Sequence, residues 1–144
     1  MRRQFSIRVY AIIDSEDSNH IVACREQLSN IEMIKFPGGG LEWGEGVEDC
    51  LRRELKEELG LVFFEAHQLM VYEKAVISIF NPDVTVIPVY YKVNPLQSLE
   101  ISNREIIQLL SIPKNENGAS ILTFENDREA FRYYLKRSGL IPIL

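Results

Sequence analysis

The sequence has little cysteine, no long apolar run and no excess of positive charge, and each lack narrows what the chain can be. Its only cysteines are Cys24 and Cys50. Neither has a Cys or His near enough to complete a zinc spacing, so they are expected as small buried thiols in a reducing compartment, the cytoplasm. No stretch approaches the ~20 consecutive apolar residues that cross a bilayer. The opening "MRRQFSIRVYAIID" is interrupted at Arg8 and lacks a small-residue cleavage site, so it reads as a strand and not as a signal peptide. Acidic residues outnumber basic ones 21 to 16, for a net charge of −5. A polymeric nucleic acid is therefore not the expected partner, since such proteins carry basic surfaces. A small anionic ligand held by local cations or metal stays open. Repeats, low-complexity tracts and Pro/Ser-rich linkers are missing too, so the chain is expected to be one domain, residues 1–144.

What is present alternates strand and helix signals. "QFSIRVYAIID" and "IVACR" read as two strands of a hairpin around the polar turn "DSEDSNH". "FPGGG" reads as a loop, because Pro37 and three glycines disfavour any regular element. A helix is expected from near Gly46 to a stop at Gly60. "AHQLMVYEKAVISIF" and "DVTVIPVYYKV" read as long strands, with Pro88 marking an edge or a bulge in the second. "EIIQLLSI" fits a strand or a short helix. "ENDREAFRYYLKRSGL" fits a C-terminal helix capped by Asn126 or Asp127 and stopped at Gly139, followed by an apolar tail. Mixed strands with a central and a terminal helix give an α/β (α+β) sandwich.

One stretch resists an ordinary reading. In "RELKEELGL", at ~100° per residue, Leu51, Leu55 and Leu59 form a core stripe while Arg52 and Lys56 face solvent. Glu54, Glu57 and Glu58 share a third arc beside that stripe. Glu54–Glu57 and Glu54–Glu58 are like-charge pairs, each unfavourable by a few tenths of a kcal/mol. Glu57 and Glu58 also sit in the last turn, where the helix dipole opposes anions. Arg53 reaches Glu57 four residues on, but one cation does not neutralise three carboxylates. A divalent ion would turn the repulsion into a site, and oxygen ligands select Mg²⁺ or Mn²⁺.

The surrounding spacing decides what this stretch resembles. From Gly39 in "GGLEWGEGVEDCLRRELKEELGL" there follow five residues, Glu45, seven residues, Arg53-Glu54-Leu55, one residue, Glu57-Glu58, one residue, and Gly60-Leu61. This resembles the Nudix box at every fixed position, over 23 of the 144 residues. The resemblance implies a Nudix fold, an α/β/α sandwich with a mixed β-sheet. It also implies hydrolysis of a nucleoside diphosphate linked to another moiety, by water attack on phosphorus with Mg²⁺ or Mn²⁺. Glu57 and Glu58 would then be metal ligands, and Glu54 a further ligand or the base. Arg53 would hold a glutamate in its working rotamer, Gly38 would offer its carbonyl to metal, and Glu45 would be structural or an outer contact.

Outside the box the same resemblance suggests Glu105, ahead of Glu100, as a further acid. Arg25 and Arg8 are its candidates for the substrate phosphates. Tyr72 and Trp43 could stack a base, or pack. Markers of ADP-ribose, dinucleoside polyphosphate and coenzyme A hydrolases are missing from "EKAVISIF" and from "IVACREQLSNIEMIKFPGG". That favours a nucleoside triphosphate or another small nucleotide and leaves the substrate open. The alternative is a Nudix-fold sensor that binds a nucleotide without cleaving it. Homodimers are frequent in the family, and the apolar tail offers one surface for such pairing.

Overall fold

The computed structural model describes residues 2–143. Met1 of the opening stretch and Leu144 of the apolar tail lie outside them. Strand β1 (Gln4–Asp14) organises the rest. Its residues alternate between two buried faces: Val9, Ala11 and Ile13 enter one core, Tyr10 and Ile12 the other. Alternation with both faces apolar is what a strand inside a doubly covered sheet requires. β1 runs antiparallel to the start of β2 (His20–Leu28) and to β4 (Gly38–Gly40), and parallel to β7 (Val84–Pro95). β2 continues between β3 (Ile31–Lys35) and β8 (Ile106–Pro113). β5 (Phe64–Val71) and the short β6 (Val76–Ile77) lie beyond β7. The sheet is therefore mixed, with the main order β3-β2-β1-β7-β5.

Helix α1 (Val47–Leu59) covers one face of this sheet. Its stripe of Leu51, Leu55 and Leu59 is fully buried, each side chain contributing about 1.5–3 kcal/mol on burial. Gly60 ends the helix in the left-handed conformation, φ 61°, and its N–H returns to the Leu55 and Lys56 carbonyls. Helix α3 (Glu125–Arg137) covers the other face, packing Phe131 and Leu135 with Phe36 and Tyr90. Helices on both faces of a mixed sheet make the α/β/α sandwich of the Nudix fold.

Several local expectations are corrected. "FPGGG" is not all loop: Gly38–Gly40 form β4 by pairing with Arg8–Tyr10, because glycines allow a backbone approach that side chains would block. "EIIQLLSI", which fits either a strand or a short helix from sequence, is a strand, stabilised as the partner of β2. "AHQLMVYEKAVISIF" breaks into β5 and β6. Pro88 lies within an interior strand, between the end of β5 pairing at Val89 and the start of β6 pairing at Val86. Its carbonyl accepts from the Tyr72 N–H at 2.9 Å, so its missing N–H faces that gap and leaves no ladder bond unmade. The residue preceding α3 is Phe124, and Asn126 and Asp127 are buried in the first turn with core partners. The short helix α2 (Glu116–Ile121) was not expected; Asn115 caps it by accepting from the Gly118 N–H.

Candidate active site

The docking of α1 against β4 builds the site. With the leucine stripe turned to the core, Glu54 and Glu58 flank the glycine strand. Glu58 Oε1 accepts from the Gly38 N–H at 2.8 Å. Gly38 has φ 148°, and a Cβ there would overlap the Val9 carbonyl. A Cβ at Gly39 would overlap the Glu54 carboxyl group. Glycine at these two positions is what lets the acidic flank of the helix meet the sheet.

Arg53 ties the loop and helix together. Its guanidinium donates to Glu45 at 2.6 and 3.0 Å, to Glu54 at 2.8 Å, to Glu57 at 3.3 Å and to the Gly40 carbonyl at 2.9 Å. The bond from Arg53 is the main reason the Glu45 carboxyl is held down to about 2. Glu58, only 4% exposed, behaves oppositely. Burial pushes its pKa up to about 7; Glu26 and Glu54 add to the rise, while Lys35 and the Gly38 N–H oppose it.

A cavity of about 360 Å³ opens beside this corner. Glu54, Glu58 and Gly38–Gly40 line it together with Arg8 and Tyr10 of β1. Ile77, Ile79 and Phe80, with Phe124 from the segment before α3, supply apolar wall. Arg8 Nε donates to the Tyr10 hydroxyl at 2.8 Å. Burial opposes the Arg8 charge, but Tyr10, Glu54 and Glu58 outweigh it, so its pKa is raised. Among the described residues no three His, Cys, Asp or Glu side chains yet converge as a ligand set. The donors at this end are nonetheless carboxylates and backbone oxygen, the chemistry that suits a hard divalent cation.

The NUDIX domain profile matches residues 3–131. This chain belongs to the NUDIX family. As a Nudix hydrolase it shares its fold with many solved structures, although no curated protein sequence matches it. The E. coli ORF135 protein superposes with TM-score 0.72 at 19% identity, over 99% of this chain and 96% of that one. A MutT NUDIX hydrolase from Burkholderia pseudomallei gives 0.72 at 19% identity, over 91% and 98%. The E. coli dihydroneopterin triphosphate pyrophosphohydrolase gives 0.75 at 12% identity, over 91% and 95%. At these identities the likeness is one of fold.

Within the Nudix frame, the residues expected from sequence separate. Gly38, Glu54, Glu58, Arg8 and Glu105 line the cavity. Glu57 does not; its side chain is 59% exposed and turned onto Arg53. Glu100 is also outside, its N–H bonded to the Leu59 carbonyl. Arg25 is corrected: β2 keeps an unbroken register with β3 through both residues, so Glu26 shares the face of Cys24 and lines the cavity, while Arg25 falls on the opposite face. The Arg25 guanidinium lies 3.6 Å from Glu32 on the neighbouring strand. Tyr72 is corrected as well, being buried in the α3-side core with burial and Glu129 raising its pKa to about 12. Trp43 is fully exposed and packs on nothing.

Polar cavity residues that were missed include Glu26, Lys35, Asn103, Asn126 and Asp127. One signal for Lys35 was available, since it alternates in register with the buried Met33 in "IEMIK".

Proposed function

We propose that this Nudix hydrolase is a Mg²⁺- or Mn²⁺-dependent pyrophosphohydrolase. Its substrate would be a nucleoside diphosphate linked to another moiety, with a nucleoside triphosphate as the best-supported case. One observation carries the reading: a single cavity gathers the carboxylates Glu54 and Glu58, the cation Arg8 and an apolar wall of Ile77, Ile79, Phe80 and Phe124. A chain of phosphates joined to a flat ring has the same combination of properties.

Glu54, Glu57, Glu58 and the Gly38 carbonyl would hold the ion, with Glu57 turning from Arg53 to do so. When bound, the divalent cation supplies charge neutralisation for the phosphates and acidifies the attacking water. Arg8 would bind a phosphate, since only its Nε is engaged by Tyr10. Glu54 would accept the water's proton: it borders the cavity, and Arg53 Nη1 holds its Oε1 at 2.8 Å, which fixes its aim. Glu105, which also lines the cavity, would position the nucleophile. The apolar wall would cover the ring and exclude water. We place the protein in the cytoplasm, where its two buried thiols stay reduced, and treat 1–144 as one domain.

The test is pyrophosphate and phosphate release from nucleoside triphosphates, nucleotide sugars, ADP-ribose and dinucleoside polyphosphates with Mg²⁺ or Mn²⁺. Turnover of one class, abolished in the Glu57→Gln/Glu58→Gln variant, supports the reading. Nucleotide binding with no turnover of any class refutes it.

A further inference from the structure

One segment both holds the end of α1 and carries residues into the cavity. A helix leaves its last carbonyls without partners of its own. Here those of Glu57, Glu58, Leu59 and the following Gly60 each accept from a donor within residues 97–102. Gln97 Nε2 donates to the Gly60 carbonyl at 2.9 Å, while its Oε1 accepts from the Val62 and Phe63 N–H groups at 2.9 and 2.8 Å. The Glu100 N–H donates to the Leu59 carbonyl at 2.9 Å. Ser102 bonds two carbonyls: its N–H donates to that of Glu58 and its hydroxyl to that of Glu57, both at 2.9 Å. Donors aimed at this end also offset the dipole that opposes two glutamates in a last turn.

Just past Ser102 the chain brings Asn103 and Glu105 to the cavity. Asn103 Oδ1 accepts from the Glu105 N–H at 2.9 Å, the side-chain-to-backbone bond of an Asx turn. The Glu105 carbonyl accepts from the Gln27 N–H of β2 at 3.0 Å. Glu105 is thus held between two anchors, β2 through Gln27 and α1 through Ser102. The second anchor rests on the main chain of Glu57 and Glu58, the residues whose carboxylates would hold the ion. The separation between the α1 glutamates and Glu105 is therefore set at Ser102.

We propose that Ser102 is a positioning residue for the hydrolysis: it locks the turn carrying Glu105 to the helix carrying Glu54, Glu57 and Glu58, so that acids from two elements meet one substrate as a single set. The inference rests on the hydrolase reading above and adds to it a residue that does not line the cavity. Ser102 is exposed, so its hydroxyl bond contributes little to folding. Its loss should appear in turnover more than in stability. A misplacement of ~1 Å can cost about 10²-fold, and the smaller shift expected when one of two bonds is lost corresponds to several-fold.

The experiment is a double-mutant cycle on kcat between Ser102 and Glu105, with thermal melts beside it, on the substrate of the panel above that the wild type turns over. Ser102→Ala keeps the N–H bond to Glu58 and loses only the hydroxyl. It should melt close to wild type yet lower kcat by roughly three- to tenfold, no more than Glu105→Gln does, with little change in KM. Ser102→Thr, which keeps the hydroxyl, should restore kcat. In a Glu105→Gln background the same Ala substitution should change kcat by less than about twofold, because the group it positions is gone. Gln97→Ala supplies the contrast. It removes the Gly60, Val62 and Phe63 bonds at the start of the segment, so it should melt lower than Ser102→Ala and lose less kcat. A purely structural role would make kcat follow stability, leaving Gln97→Ala the worse of the two, and the effects of Ser102→Ala and Glu105→Gln would multiply. Either result, or an unchanged kcat in Ser102→Ala, overturns the inference while the functional reading stands. Turnover of no substrate by the wild type would sink the functional reading and this inference with it.

Discussion

Arg53 is the most informative single perturbation, because one side chain organises the loop, the helix and the carboxylates. Its guanidinium donates to three glutamates and to the Gly40 carbonyl. Removing one partner of a buried charge network costs about 3–5 kcal/mol. The value here belongs at the low end, since Glu57 and Glu42, two of the partners, are largely exposed and exposed pairs contribute ~0–1 kcal/mol. About 3 kcal/mol is thus expected for Arg53→Ala. At ~2.1 cal/mol/K of unfolding entropy per residue, a chain this long loses about 3 °C per kcal/mol, so the melt should fall by about 10 °C. Arg53→Lys should recover part of that. An ammonium keeps the charge but lacks the fork that reaches Glu45, Glu54 and Gly40 at once. Its kcat should still drop sharply with little change in KM, because Glu54 loses its aim and general-base catalysis is worth about 10²–10⁴-fold. Scanning fluorimetry in EDTA and in Mg²⁺, beside steady-state kinetics, measures both effects. In the Ala variant Mg²⁺ should restore much of the lost stability, since the ion replaces the missing cation among the glutamates. Melts within about 2 °C of wild type in EDTA, together with unchanged kcat for Arg53→Lys, would refute the hub reasoning.

Other perturbations separate the roles around it. Gly38→Ala should be severely destabilising, because its Cβ would overlap backbone at Val9, whereas Gly40→Ala meets only Arg8 Nη1 at 3.5 Å and should melt near wild type; paired melts check this. Glu54→Gln should lower kcat about 10²–10⁴-fold, and Glu105→Gln much less; the reverse order in single-turnover kinetics would exchange their roles. Glu58 has a folded pKa of about 7 against an ordinary 4.5. The folded state therefore holds an extra proton between these values, and the stability this contributes is full below the lower value and lost as pH rises through the upper. In EDTA the melting temperature should accordingly fall from about pH 5 to about pH 8, a slope that Glu58→Gln flattens. Tyr72→Phe should leave KM unchanged for every substrate, as the ring lies in the α3-side core.

Legibility followed the range over which each feature is determined. The core face of α1 was readable because Leu51, Leu55 and Leu59 repeat at helical spacing within a single element. The same spacing predicted the Arg53–Glu57 pair, four residues apart, but an arc on a helical wheel does not show that Glu57 rests outside the cavity that Glu54 and Glu58 line. Pro88 looked like an edge because its missing N–H is a local fact, while the gap between β5 and β6 that accommodates it depends on pairing with distant strands. Alternation along β2 does place Glu26 on the face of Cys24 and Arg25 opposite, but which face borders the cavity depends on α1 and β3 packing there. Two sets of cavity residues differ for this same reason. Glu54, Glu58 and the glycines come from a continuous stretch, Gly38 to Glu58, so their chemistry can be read from spacing. Glu26, Lys35, Asn126 and Asp127 are assembled from β2, β3 and the start of α3. Contacts such as Phe36 N–H to Asp127 and Tyr90 to Asn126 close loops of 91 and 36 residues. No local pattern announces such a set, which is why a reaction class could be read from this sequence while the substrate could not. Substrate choice must therefore be sought where distant strands meet and not in the glutamates that gave the family away.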